Sequence, residues 1–283
     1  MPAALSANHL ITYKKWLALK AAGTSKKLLY TEETIMMRTA NPALNAGTFA
    51  NVRSFTTTDP MTIQGTVNKT GFLLFLLVLS AGYVWYLFTK TANPAMITPY
   101  ILVGTLGGLV AALVTVFKKT WSPVTVPLYA VLEGLALGGI SAFFEAQFPG
   151  IVMQAVGLTF GTLFALLIAY KSGFIKATEN FKLGVVAATG GIALLYFVTF
   201  ILGFFKVNIS FMHDSSPLSI GISVFVVIIA ALNLVLDFDF IEKGAESGAP
   251  KYMEWYASFG LLVTLVWLYL EILRLLAKMQ KRK

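Results

Sequence analysis

The 283-residue chain contains no cysteine. Thiol nucleophiles, disulfides and thiolate metal sites are therefore excluded, and the redox compartment leaves no trace. Histidine is almost absent: His9 and His213 are the two in the chain, and both lie outside the long apolar runs. A Ser-His or Cys-His catalytic pair inside those runs is thus ruled out. Charge is scarce as well. Asp, Glu, Lys and Arg make up 12% of the residues, about half the share found in the sequence of a typical soluble domain. A water-facing protein needs that charge, so a bilayer must be the solvent.

What the chain has instead is 57% hydrophobic residues, gathered into runs. A helix that crosses a membrane needs about 20 largely apolar residues. Six runs qualify: 70–88, 95–117, 124–144, 151–170, 183–205 and 218–236. Five are uncharged, and the third holds only Glu133. A seventh stretch starts at Tyr256, is uncharged to Leu270, and reaches full length only by including Glu271 and Arg274. Two readings of it stay open, a polar transmembrane helix or a re-entrant segment. The expected fold is all-α, a polytopic integral membrane bundle of about seven transmembrane helices.

The connections are short, and Pro94, Pro123, Pro149, Pro217 and Pro250 are expected within them. The chain divides into a basic extension over 1–36, a cytoplasmic segment over 37–69, a membrane domain over 70–277 and a basic tail over 278–283. The extension reads either as a basic lipid-surface helix or as a stretch upstream of a start at Met36 or Met37. Three spans carry small-residue pairs, Gly104 with Gly108, Gly134 with Gly138, and Gly157 with Gly161. Such pairs let helix backbones approach closely in lipid.

The net charge of +9 does not point to nucleic acid, because the basic residues flank the apolar runs. With the N-terminus in the cytoplasm, fifteen Lys and Arg fall on the inner side, against Lys90 and Lys206 outside. That distribution sets the expected orientation. The basic tail opposes it if the seventh segment spans fully.

Ionisable groups inside hydrocarbon are costly, by roughly 2.5–3.5 kcal/mol on insertion scales, so each needs a reason. Glu133 lies mid-segment, where an acid is expected either to hydrogen-bond a neighbouring helix or to handle a proton or ion. The densest acidic stretch runs Asn233-Leu234-Val235-Leu236-Asp237-Phe238-Asp239-Phe240-Ile241-Glu242-Lys243. In a helix, Asn233 shares a face with Asp237, and Asp239 with Lys243. The plain reading is a set of solvated acids at a helix exit, with Asp239 paired to Lys243. Glu271 and Arg274 are three apart and suit an intrahelical ion pair. A sharper reading faces Glu271 with Asp237, as two carboxylates that share a proton and titrate together. Oxygen ligands of this kind also suit a hard cation such as Ca²⁺. A retinal protein is excluded because residues 256–276 hold no lysine, and no histidine partners an intramembrane serine nucleophile.

These residues bring a family into view. The chain resembles the Bax inhibitor-1/YccA family, in its bacterial Bax-inhibitor-1-like branch, over about residues 37–277. The resemblance rests on Met37-Arg38-Thr39-Ala40-Asn41-Pro42-Ala43-Leu44, Met61-Thr62-Ile63-Gln64, Leu132-Glu133-Gly134-Leu135, Leu236-Asp237-Phe238-Asp239 and Leu268-Tyr269-Leu270-Glu271-Ile272-Leu273-Arg274. It implies a seven-helix fold with a central last helix, and a pH-sensitive calcium leak gated by an acidic pair. By motif, Asp237 matches the first carboxylate and Glu271 the second, which is usually aspartate. The basic residue that some members place in helix two is missing, with Arg274 a substitute. Other members modulate a membrane-bound protease, so a regulatory partner stays open beside the lipid bilayer. The expected protein is a non-enzymatic cation leak channel or transporter-like protein of the bacterial inner membrane. Asp237, Glu271, Asp239 and Glu133 are its candidate ion- or proton-sensing residues, supported by Arg274 and Asn233. No cofactor is expected apart from calcium as the transported or bound ion, with Asp237 and Glu271 as its ligands.

Overall fold

The computed structural model describes residues 59–205 and 214–282. Within them the chain forms seven α-helices: α1 (Ile63–Thr91), α2 (Pro94–Phe117), α3 (Ser122–Gln147), α4 (Ile151–Lys171), α5 (Glu179–Phe204), α6 (Pro217–Glu246) and α7 (Met253–Lys281). Even the shortest, α4 with 21 residues, extends about 32 Å at 1.5 Å per residue. That is enough for a hydrocarbon core of about 30 Å, and all seven are apolar enough to cross one.

The helix ends follow local chemistry. Thr62, Thr178 and Ser216 each accept a hydrogen bond from a backbone N–H in the first turn of α1, α5 and α6. Pro94, Pro123 and Pro217 occupy first turns rather than connections, where proline's missing N–H costs nothing. Ala92 closes α1 in the left-handed region at φ 47°, and Asn93 caps α2 from the next position. Glu145 at the end of α3 accepts from the N–H groups of Gly150 (2.6 Å) and Val152 (3.1 Å). Its negative charge thus sits on the start of α4, where the helix dipole favours it.

Several helices outrun their apolar cores. α1 begins seven residues before Thr70, because Thr62 caps it and Gln64 bonds Asn68 one turn on. α6 continues to Glu246, so Asp237, Asp239 and Glu242 are helical rather than part of a loop. α7 starts at Met253 and ends at Lys281.

Which helices are central follows from what they bury. Over their most apolar windows α7 is 61% buried and α5 only 11%. Residues 256–262 of α7 are buried without a break, and two turns hidden on every side require neighbours all round. α7 packs on α6, α1, α4 and α3. The large apolar side chains left outside, such as Phe75, Leu106 and Phe164, are those that hydrocarbon would solvate.

The glycine pairs divide. A Cβ at Gly104 would come within 2.6 Å of the Ala136 nitrogen on α3, and one at Gly138 within 2.7 Å of the Ala81 Cα on α1. Gly134 is likewise pressed on Leu77 and Ser80. Gly157 and Gly161 have nothing within 4 Å of that position, so among the described residues this third pair packs no helix, contrary to expectation. Gly138→Leu should therefore destabilise the protein by about 2–3 kcal/mol through overpacking. Gly157→Leu should be close to neutral, both read as unfolding midpoints in detergent.

The seventh segment is continuous. Lys278 Nζ donates to Ser219 Oγ and Ser223 Oγ, both at 2.9 Å, so the end of α7 lies beside the start of α6. A re-entrant turn is excluded, and the tail leaves on the face opposite the α6–α7 connection. That connection shares its face with the start of α1 and the α2–α3 turn, since Met61 N–H donates to Ala249 O (2.6 Å) and Ser122 Oγ to Tyr252 O (3.0 Å). Lys118, Lys119, Lys243 and Lys251 belong to this basic face. Reporters placed after Gly248 and at Lys283 should score on opposite sides of the membrane; the same side for both would contradict seven full spans. The readings made for residues 1–36 and for Lys206 and His213 lie outside the described residues.

Candidate functional site

Residues 233–238 of α6 are six in succession with exposures no higher than the 8% of Phe238. Here α6 has no lipid-facing side. Asp237 is completely buried in this stretch, one turn after Asn233. Asn233 Nδ2 donates to Thr189 Oγ1 on α5 (2.9 Å) and to Ile229 O (2.8 Å). Its Oδ1 is buried and accepts no hydrogen bond among the described residues. An acid and an amide oxygen thus share one face of α6, in the interior of the bundle.

Glu271 belongs to a different cluster. Its Oε1 accepts from Arg274 Nη1 (2.8 Å), Tyr196 Oη (2.9 Å) and Trp267 Nε1 (3.2 Å). Arg274 also donates to Tyr196 Oη (3.1 Å). The expected Glu271–Arg274 ion pair therefore forms, and it binds α7 to α5. The expected approach of Glu271 to Asp237 does not. In an antiparallel hairpin, residues face each other when they are equally far from the turn. Asp237 is nine residues before the end of α6, whereas Glu271 is eighteen after the start of α7. Trp267 packs among Val226 and Ile229, which confirms that register. The two acids are offset by roughly 15 Å along the helices. They cannot share a proton, nor a calcium ion whose ligands stand at about 2.3–2.6 Å. No group of three or more His, Asp and Glu able to hold a metal occurs among the described residues. Arg274 is likewise committed to Glu271 and does not replace a basic residue beside Asp237.

Asp239 is paired on the basic face. Its Oδ2 lies 2.9 Å from Lys243 Nζ, as expected, and 2.9 Å from Lys182 Nζ. Lys182 also reaches Glu179 at 3.3 Å. Glu242 accepts from the Tyr170 hydroxyl. The acids at the α6 exit are therefore tied to α4 and α5 rather than simply solvated. Glu133 lies half-buried against Gly108 of α2, its Oε2 3.2 Å from where a Cβ would be. It makes no hydrogen bond to a neighbouring helix among the described residues, so the bridge expected of it is not formed.

Sequence reasoning missed Glu254, which appeared to belong to a connection. It is fully buried in the first turn of α7. Its Oε1 accepts from Thr62 N–H and Thr62 Oγ1, both at 2.9 Å, and Lys69 and Lys251 pair with it. The carboxylate holds the Lys251 ammonium above the usual lysine range, so this pair contributes at neutral pH and loses its effect only as pH rises past that value. Gly65 leaves the room, since a Cβ there would strike the Glu254 carboxylate. The available signal was the acid itself, at a helix N-terminus two residues before Tyr256.

The chemistry offered is oxygen donors and a buried charge inside a membrane bundle. The family model described as Bax inhibitor 1 like matches residues 41–281. No curated protein and no solved structure matches the chain.

Proposed function

The chain belongs to the Bax inhibitor 1 like family, and from that premise we propose that it is a pH-sensitive cation leak or transporter-like protein, with Asp237 and Asn233 as its ion and proton site. The observation that carries this reading is a carboxylate completely buried within a membrane-spanning helix, one turn from a buried amide oxygen that accepts no hydrogen bond among the described residues. An ionised acid in low dielectric draws a cation, and a protonated one does not. Calcium is then cargo rather than a resident ion, because these two residues supply too few oxygens for a closed calcium cage. In place of a two-acid latch, a single acid on α6 senses the proton, while Glu271 holds α7 to α5. The protein is not an enzyme in this reading. It sits in a bacterial inner membrane with the basic face towards the cytoplasm, the side favoured for loops rich in Lys and Arg.

Flux in reconstituted vesicles tests the reading. Calcium or monovalent cation release should exceed that of protein-free vesicles and should rise with pH. A second reading, contact regulation of a membrane protease, is favoured by Gly157 and Gly161 on α4. A Cβ at either would meet nothing within 4 Å among the described residues, and in lipid such a pair admits another helix. Absence of flux at every pH, together with loss of protease modulation in Gly157→Leu, would favour it.

A further inference from the structure

Between α1 and α4 lies a cleft of about 250 Å³, floored by α3 and α7. Its lining is apolar, with Leu77, Trp85, Val156, Phe160, Leu262 and Leu265 typical. The polar groups that reach it are already satisfied. Ser141 Oγ and Tyr269 Oη bond each other at 2.6 Å, and Thr159 Oγ1 donates to Ala155 O at 2.8 Å. Such a space has no polar partner to offer water and stays dry. Left empty, it would cost its walls their dispersion contacts.

We propose that this cleft binds one acyl chain of a phospholipid, drawn from the leaflet away from the basic face. Along α1 the lining runs from Leu74 to Trp85, about 16 Å at 1.5 Å per residue. That matches one leaflet's share, about 15 Å, of a hydrocarbon core about 30 Å thick. The depth also fits, since the lining takes Leu137, Gly138 and Ser141 near the end of α3 and Val152 to Phe160 at the start of α4, on either side of the connection opposite the basic face. Val78 and Gly82 at the mouth are exposed, so a chain enters sideways from the bilayer. Lys90, in the last turn of α1, stands five residues beyond Trp85 at headgroup level. Its charge complements a phosphate there, held over the Tyr86 ring at 5.6 Å. This site is independent of the Asp237 reading.

The test uses the full chain in vesicles containing a phospholipid with a diazirine midway along one acyl chain, irradiated and mapped by peptide mass spectrometry. Adducts are expected on α7 between Leu262 and Tyr269, although Leu262 is fully buried and Leu265 only 4% exposed. Gly82→Phe should reduce them at least tenfold, because a Cβ at Gly82 meets nothing within 4 Å and the ring can fill the mouth. Adducts on the outward-facing Phe75 and Leu79 should be unchanged and report that the variant is intact. Val156→Phe, blocking from the α4 wall, should act alike. The proposal is overturned if Phe75 and Leu79 are labelled but α7 is not. It is overturned equally if neither blocking variant lowers the α7 adducts, or if a diazirine free fatty acid labels α7 where the phospholipid does not.

Discussion

Asp237→Asn is expected to cut cation flux through the reconstituted protein by tenfold or more and to remove its dependence on pH. The two side chains are nearly the same size, so packing around the buried stretch of α6 is kept. What changes is charge. A cation about 4 Å from an ionised carboxylate gains roughly 4 kcal/mol at an effective dielectric near 20, and a tenfold change needs only about 1.4 kcal/mol. Low pH protonates Asp237 and removes that attraction, so flux in the wild type should rise with pH, whereas the asparagine variant should stay low throughout. Glu271→Gln separates this site from a paired gate. Its hydrogen bonds to Tyr196, Trp267 and Arg274 are structural in this reading, so the variant should lose stability but keep the pH profile of flux. If Asp237→Asn leaves flux and its profile unchanged, the ion site is not on α6 and contact regulation becomes the better account.

Glu254→Ala is expected to be the most damaging single substitution for stability, by about 3 kcal/mol, the lower end for breaking a buried ion pair. The carboxylate is fully buried and joins the start of α1 to the start of α7. Without it the Thr62 N–H loses its acceptor, and the Lys69 ammonium, only 19% exposed, loses its counter-charge. Glu254→Gln keeps an oxygen for Thr62 and should cost less. Gly65→Ala should also destabilise, because its methyl group meets the same carboxylate. In the double variant Gly65→Ala/Glu254→Ala that collision is gone, so the combined loss should fall short of the sum. Chemical unfolding in detergent micelles reads all of these. Full additivity would mean that Gly65 is not small for the sake of Glu254.

Glu254 also shows where reading residues in order reaches its limit. In sequence it follows a loop-like stretch from 247 to 252, and nothing local states that Thr62 and Lys69, nearly two hundred positions away, converge on it. The glycine pairs make the same point from the other side. Gly134 with Gly138 and Gly157 with Gly161 have identical spacing, yet one pair is pressed on α1 and the other touches no helix among the described residues. Spacing places residues on one face of a helix but carries no information about what that face meets.

The number of spans, the all-helical class and the membrane as solvent were legible in the linear sequence. They depend on the length and apolarity of single segments, and those are local sums that no partner alters. The ion pair of Glu271 with Arg274 and that of Asp239 with Lys243 were legible for the same reason, since helical spacing alone brings them together. The separation of Asp237 from Glu271, the continuity of α7 beside α6, the buried role of Glu254 and the cleft between α1 and α4 were decided only by the tertiary structure. Each depends on the register between helices, which is set by the length of a turn and the packing of side chains distant in sequence.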